Sequence, residues 1–226
     1  MKKLLGFFAF FLSIQLCFGN LTSYRPLNTP QTGVNFSIPY TFGTHKGHAE
    51  KIYGKIEFDR NHIEGLRGHF KVPVKSMRTG KSVRDCHLVE ALGLDYTSSR
   101  FPENHVCNND NELERDEAAH FLYPFIHFKI IDAKKMGEEQ TDAFHKYGLI
   151  VTGLWTIHGR EVSKSHKVEL TVDLKKRSLK LRIKTTPQFS LKEFDVIVKP
   201  AKILGIKIGV KDNVSVDLDL VLNEVQ

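Results

Sequence analysis

Arg84, Asp85 and His87 stand within four residues of one another, and no other cluster in the chain has such clear polar chemistry to offer. Arginine presents a planar fork that fits a phosphate or a carboxylate, and histidine adds a donor whose charge changes near neutral pH. A head-group site for an anionic ligand is one use of such a trio. The other is structural: adjacent Arg and Asp on a helix point to different faces, so Asp85 would pair with Arg84 or a nearby backbone group and fix the helix in place. Beyond this cluster the catalytic inventory is bare. The chain holds no G-x-S-x-G, no H-E-x-x-H, no Gly-rich phosphate loop, and no cysteine with a base at fixed spacing. The reading is a protein that is not an enzyme and uses no cofactor.

Metal sites are equally thin. His45-Lys46-Gly47-His48 supplies two imidazoles in what reads as a flexible loop, without a third or fourth ligand. Asn108, Asp110, Glu112, Glu114 and Asp116 alternate like a calcium loop, yet lack its central Gly and closing Glu. No metal is expected at either place.

The cluster sits on a short helix. Val83, His87, Leu88, Ala91 and Leu92 recur at helical steps, and Thr79-Gly80 before them is turn chemistry, with Thr79 placed to cap the helix. Upstream, Leu66, Phe70, Val72 and Val74 keep the period of a strand with one buried face. Further strand-like alternation runs through Val34–Ile38, Ile52–Phe58, Ile126–Ile130, Leu149–Ile157, Val168–Leu174, Leu179–Ile183 and Val214–Leu222. Leu191, Phe194 and Ile197 hint at a helical turn before the last of these. Eight strands, turns between them and no β-α alternation predict an all-β, antiparallel sheet. Closure into a barrel would remove the exposed edges, and an eight-stranded barrel is either filled by side chains or holds one ligand.

Residues 1–19 read as a signal peptide: Lys2 and Lys3, then an apolar run from Leu4 to Leu16, then Cys17-Phe18-Gly19 before a cut at Asn20. The mature domain would be 20–226, located in the periplasm. Cleavage removes two lysines and no acid, so the formal charge falls from +7 to +5. Acids crowd residues 103–117, inside an insertion at about 95–120, and leave the rest basic. A basic body suits anionic lipid head groups, while nucleic acid is a poor match for an exported protein. Cleavage also leaves Cys86 and Cys107, an even pair that reads as a disulfide in an oxidising compartment.

The sequence resembles the YceI family of exported bacterial proteins. The match runs through Phe36–Ile38, Gly54–Asp59, Ser76, Thr79-Gly80, Arg84-Asp85, His87-Leu88 and Tyr123-Pro124 to Phe128. It continues through Gly153-Leu154-Trp155-Thr156-Ile157-His158-Gly159 and Asp212–Val216. The acidic insertion is longer than the family's usual loop, and the match near Phe194 is loose. The resemblance implies a lipocalin-like barrel with a short helix after its third strand and a helical turn before its last. It further implies a hollow interior holding a polyisoprenoid or other long-chain lipid. On that reading Phe36, Ile38, Ile56, Phe58, Phe70, Val72, Leu88, Leu92, Phe128 and Leu154 touch the hydrocarbon. Arg84, Asp85, His87 and His158 then form a polar mouth for the head group. A transient membrane-surface contact and a homodimer are both compatible with this picture. The alternative is an envelope stress or interaction protein that uses the barrel as a scaffold, with the acidic insertion as its contact surface.

Overall fold

The alternating runs close into a ring. The structure, a computed structural model, describes residues 21–28, 32–95, 107, 119–184, 189–198, 201–203 and 206–225. The expected leader and, Cys107 apart, the acidic run 103–117 lie outside these residues. In chain order the strands are β1 Leu21–Pro26, β2 Gly33–Tyr40, β3 Gly43–Ala49, β4 Tyr53–Asp59, β5 His62–Pro73, β6 Met77–Arg78 and β7 Phe125–Gln140. They continue with β8 Phe144–Ile157, β9 Arg160–Asp173, β10 Ser178–Lys184, β11 Phe189–Ser190, β12 Ala201–Ile203, β13 Ile206–Ile208 and β14 Asn213–Glu224. Among the described residues one α-helix, α1 Ser82–Ala91, follows β6, and a 3-10 turn at Lys192–Phe194 precedes β12. Eight strands pair antiparallel in the cycle β1-β4-β5-β7-β8-β9-β10-β14, and β14 returns to β1.

Seven ring strands coincide with the alternating runs. The eighth, β1, was not anticipated, because Leu21-Thr22-Ser23-Tyr24-Arg25-Pro26 carries a single buried residue, Tyr24, and so shows no period. The run at Val34–Ile38 is a strand outside the cycle. β14 is long enough to share one flank between two partners: its end takes β1 (Tyr24 opposite Glu224), its start takes β2 (Ser37 opposite Ser215). From β2 the wall continues outward as a flap, β2-β3-β6. The segment holding His45 and His48, expected to be a flexible loop, is strand β3 of that flap; polar side chains had hidden its alternation. β7 is also longer than its apolar pattern, since bulges between Ile130 and Asp132 and again between Lys135 and Gly137 shift its register.

The β8–β9 hairpin closes through His158 (φ 51°) and Gly159 (φ 75°), the pair of left-handed residues that a type I′ turn needs. Gly159 and Gly93 both leave room for the ring of Tyr123, which packs against them. Cys86 and Cys107 are bonded to each other, tying α1 to the insertion.

Inside the ring the two ends differ. Away from the helix, Tyr24, Ile56, Phe58, Tyr147, Leu170 and Leu222 are at most 1% exposed and meet in the middle. Hydrogen bonds close this floor: Arg60 Nη2 donates to Tyr24 Oη at 3.0 Å, and Tyr147 Oη donates to the carbonyl of Arg60 at 3.0 Å. His145 Nδ1 lies 2.7 Å from the Tyr147 hydroxyl, and Glu224 pairs with Arg60 and Arg177. Burial, with Glu138 adding to it, pushes the Tyr147 phenol up to about 12, so its proton stays in place at any physiological pH.

Candidate functional site

Toward the helix end the interior opens into an apolar cavity of about 70 Å³. Its walls come from β2, β5, β7, β8 and β14, with Phe36, Phe70, Val72, Phe128, Trp155 and Val216 prominent among them. Two glycines help to make this space. The Phe36 ring occupies the volume that a side chain at Gly47 would take, and the Phe128 ring does the same at Gly153. Each ring therefore rests on the backbone of a neighbouring strand and leaves the axis clearer. A void of 70 Å³ is less than half the ~150 Å³ apolar cavity that admits benzene, so a hydrocarbon chain must displace some of these side chains as it enters.

The flap carries the chemistry upward from this cavity in a single column. On the inward faces of β2 and β3, Val34 stands opposite Ala49, Phe36 opposite Gly47, Ile38 opposite His45 and Tyr40 opposite Gly43. The first two pairs border the cavity; the third and fourth turn polar. His45 stacks on Tyr40 with ring centroids 4.0 Å apart, and Arg84 Nη1 reaches His45 Nδ1 at 2.7 Å. Burial, and then the Arg84 charge, hold His45 below the ordinary imidazole range, so its ring is neutral at pH 7 and Nδ1 accepts from the guanidinium. Arg84 Nη2 donates to the Thr79 carbonyl at 3.3 Å, while its Nε is buried without a hydrogen-bond partner. A cationic fork with one unmet donor thus stands above an apolar cavity.

The expected four-residue mouth is not one cluster. Asp85 is buried and accepts from both the amide and the hydroxyl of Thr79 at 2.6 Å. Asp85 therefore braces the turn, and Thr79 does not cap the helix: the N-cap position is Lys81, with no side-chain cap. His87 points outward to Glu90 at 3.0 Å. His87, Glu90 and Cys107 converge like metal ligands, but the Cys107 sulfur is committed to its disulfide. His158 sits in its turn with the ring edge against Tyr123 at 4.8 Å and Nδ1 buried without a partner. Only Arg84 of the four is in contact with the column above the cavity.

The expected lipid contacts also divide. Phe36, Phe70, Val72 and Phe128 line the cavity. Ile38 packs one step above it, next to His45. Ile56 and Phe58 belong to the floor, and Leu88 and Leu92 pack onto the core from the helix and its end rather than from the cavity wall. Leu154 is a correction. Trp155 and the neighbouring Gly153 take the inner face of β8, so alternation turns Leu154 outward, between Lys129 and Ser163 of the flanking strands.

Two site features were missed in the sequence. His45 was hidden in its supposed loop, although His45, Gly47 and Ala49 alternate opposite Ile38, Phe36 and Val34. The other is a buried pair behind the cavity wall: Trp155 Nε1 donates to His166 Nε2 at 2.8 Å, and His166 also packs on Phe128 and Phe189. Burial, helped by Lys164, pushes His166 down to about 4, which keeps it neutral as an acceptor. His166 lies in the β9 column Val162, Lys164, His166, Val168, Leu170, directly before the apolar run Val168, Leu170, Val172, and that position was the available signal.

Comparisons with known proteins agree with this architecture. Among curated proteins none matches the sequence. Among solved structures the chain is similar to a polyisoprenoid binding domain from Saccharophagus degradans implicated in plant cell wall breakdown, at 10% identity and TM-score 0.59 over 91% of this chain and 99% of that one. It is also similar to BcnA of Burkholderia cenocepacia, at 17% identity and TM-score 0.56 over 84% and 95%. The Campylobacter jejuni YCEI protein aligns at 14% identity and TM-score 0.52 over 82% and 88%. At these identities the likeness concerns the fold. The profile of the YceI-like domain, however, matches residues 26–222, and on that match the chain belongs to the YceI-like family.

Proposed function

We propose that this protein is an exported, periplasmic carrier of a single-chain amphiphile, a polyisoprenoid or other long-chain lipid. The hydrocarbon lies in the cavity and the head group beside Arg84. The supporting observation is the column on β2 and β3, apolar at Phe36 and polar at His45, with Arg84 held against its polar part. Membership of a family that binds lipids supports the ligand class, and the polyisoprenoid binding domain among the similar folds points to isoprenoids. The leader-like residues 1–19 and the disulfide support export. Transient contact with a membrane surface would load the barrel; exposed Phe42, Leu122 and Ile197 lie toward the helix end and suit it.

The test is selective. Arg84→Ala is expected to weaken a prenyl phosphate roughly 10- to 100-fold, the value of a hydrogen bond to a charged group, and to leave the matching prenyl alcohol unchanged. Undiminished affinity of the variant for the phosphate, an equal loss for both ligands, or no lipid extracted from protein purified out of its own envelope would sink the proposal.

A further inference from the structure

We infer that the barrel admits its ligand's tail only to a fixed depth of about two isoprene units, with the layer just above the Tyr24–Arg60–Tyr147 floor as the stop. The inference rests on the lipid reading of the cavity and makes it narrower.

The head-group anchor and the stop belong to the same stretch of wall. Arg84 meets His45, which stands opposite Ile38. Two inward steps farther toward the floor, past Phe36, lies Val34, opposite Leu218 of β14. The next inward residue of β14 is Leu220, fully buried opposite Leu181 and one step below the last β14 residue of the cavity wall, Leu218. A tail resting on Leu220 ends at the Val34–Leu218 level. The four residues of strand from Ile38 to Val34, at ~3.4 Å each and tilted by ~40° in a barrel of this size, measure about 10 Å along the axis. A zigzag chain with ~1.5 Å bonds and ~111° angles advances about 1.25 Å per carbon. Some eight chain carbons therefore fill the distance, which is the main chain of two isoprene units.

Beneath that layer the tail meets a polar structure rather than more grease. Tyr24 and Tyr147 are fully or almost fully buried, and both hydroxyls are bound to Arg60, which in turn contacts Glu224. Pushing a tail through would separate these partners inside the protein, where an unmet hydrogen-bonding group is costly. The cavity half presents apolar side chains along the axis, among them the rings of Phe36, Phe70 and Phe128. Depth is thus set at one end by a charged anchor and at the other by a bonded floor.

Trp155 is the single tryptophan of the chain and lines the cavity, so its fluorescence reports occupancy directly. The experiment is a titration of the full chain with dimethylallyl, geranyl, farnesyl and geranylgeranyl phosphate. From one unit to two, affinity should rise at least ~100-fold, because each buried CH₂ is worth roughly a factor of four. From two units to three and four it should change by less than ~3-fold. A further rise of tenfold or more at farnesyl phosphate overturns the depth limit and leaves the lipid site standing. Failure of every member to bind overturns both. Leu220→Ala lowers the stop, and where its melting curve shows a folded protein, farnesyl phosphate should gain on geranyl phosphate by more than tenfold. An unchanged ratio in that folded variant would place the stop elsewhere.

Discussion

Around Tyr24 and Tyr147 the inward side chains meet across the barrel axis; around Phe36 and Phe128 they lie back on the wall. Strands β8 and β14 run through both regions, so being in a strand does not separate them. Composition of the wall does. In the floor, Tyr24, Phe58, Tyr147, Leu170 and Leu222 fill the interior with large side chains, and the tyrosine hydroxyls are tied to Arg60. In the cavity half, Gly47 and Gly153 take inward positions and receive the rings of their neighbours. Filling and bonding make one region a fixed plug, while glycine makes the other a space bordered by movable rings. The lesson is that an eight-stranded barrel can be solid and receptive at once, with the boundary drawn by a few residues.

The sharpest way to break this comparison is truncation on either side of the boundary. Phe58→Ala in the floor should cost about 3–5 kcal/mol in a denaturant melt, the usual value for a well-packed phenylalanine, and leave prenyl phosphate affinity intact in protein that remains folded. Phe128→Ala should cost less, since one side of its ring already borders a void, and should change ligand affinity. Equal losses from both would mean that the two regions are packed alike.

Acid should act on the cavity half next. His166 binds its proton at about 4 in the folded state and near 6.5 when unfolded. Above pH ~6.5 both states are neutral there and its contribution is complete; as pH falls toward 4 the unfolded state takes up a proton that the folded state refuses, so stability drops. The loss amounts to about 2–3 kcal/mol across that window. His166→Gln, which keeps an acceptor for the Trp155 indole, should flatten the slope. A slope unchanged in the variant would assign it to other groups.

A smaller effect tests the origin of the space itself. Gly153→Val puts a side chain where the Phe128 ring rests and should cost about 1–3 kcal/mol as an overpacked site. It should also drive the ring toward the axis and abolish the ligand-induced change in Trp155 fluorescence. Binding that survives the substitution would show that glycine is not what opens this half.

Much of the barrel was legible because its strands keep strict alternation: Val214 to Leu222 on β14 and Val168 to Val172 on β9 are unbroken. β1 and β3 were not legible, for opposite reasons. β1 is held by its pairings to β4 and β14 around one tyrosine, and β3 carries histidine, glycine and alanine where an isolated strand would show large apolar residues. The candidate site was half legible. Arg84 stood out by type, but its partner His45 is 39 positions away, and only the flap brings them together. Asp85 and His87 lie beside Arg84 in sequence and diverge in space because neighbours on a helix face apart.

The partnership of Phe36 with Gly47, and of Phe128 with Gly153, has a consequence for how such a barrel can diverge. A bulkier residue at either glycine collides with a ring, and a shorter one at either phenylalanine strands an empty notch, so neither member can drift alone without penalty. Exchanges in which both change together escape that penalty. The bore of the pocket is therefore inherited as coupled pairs and should shift between descendants in jumps, not by degrees.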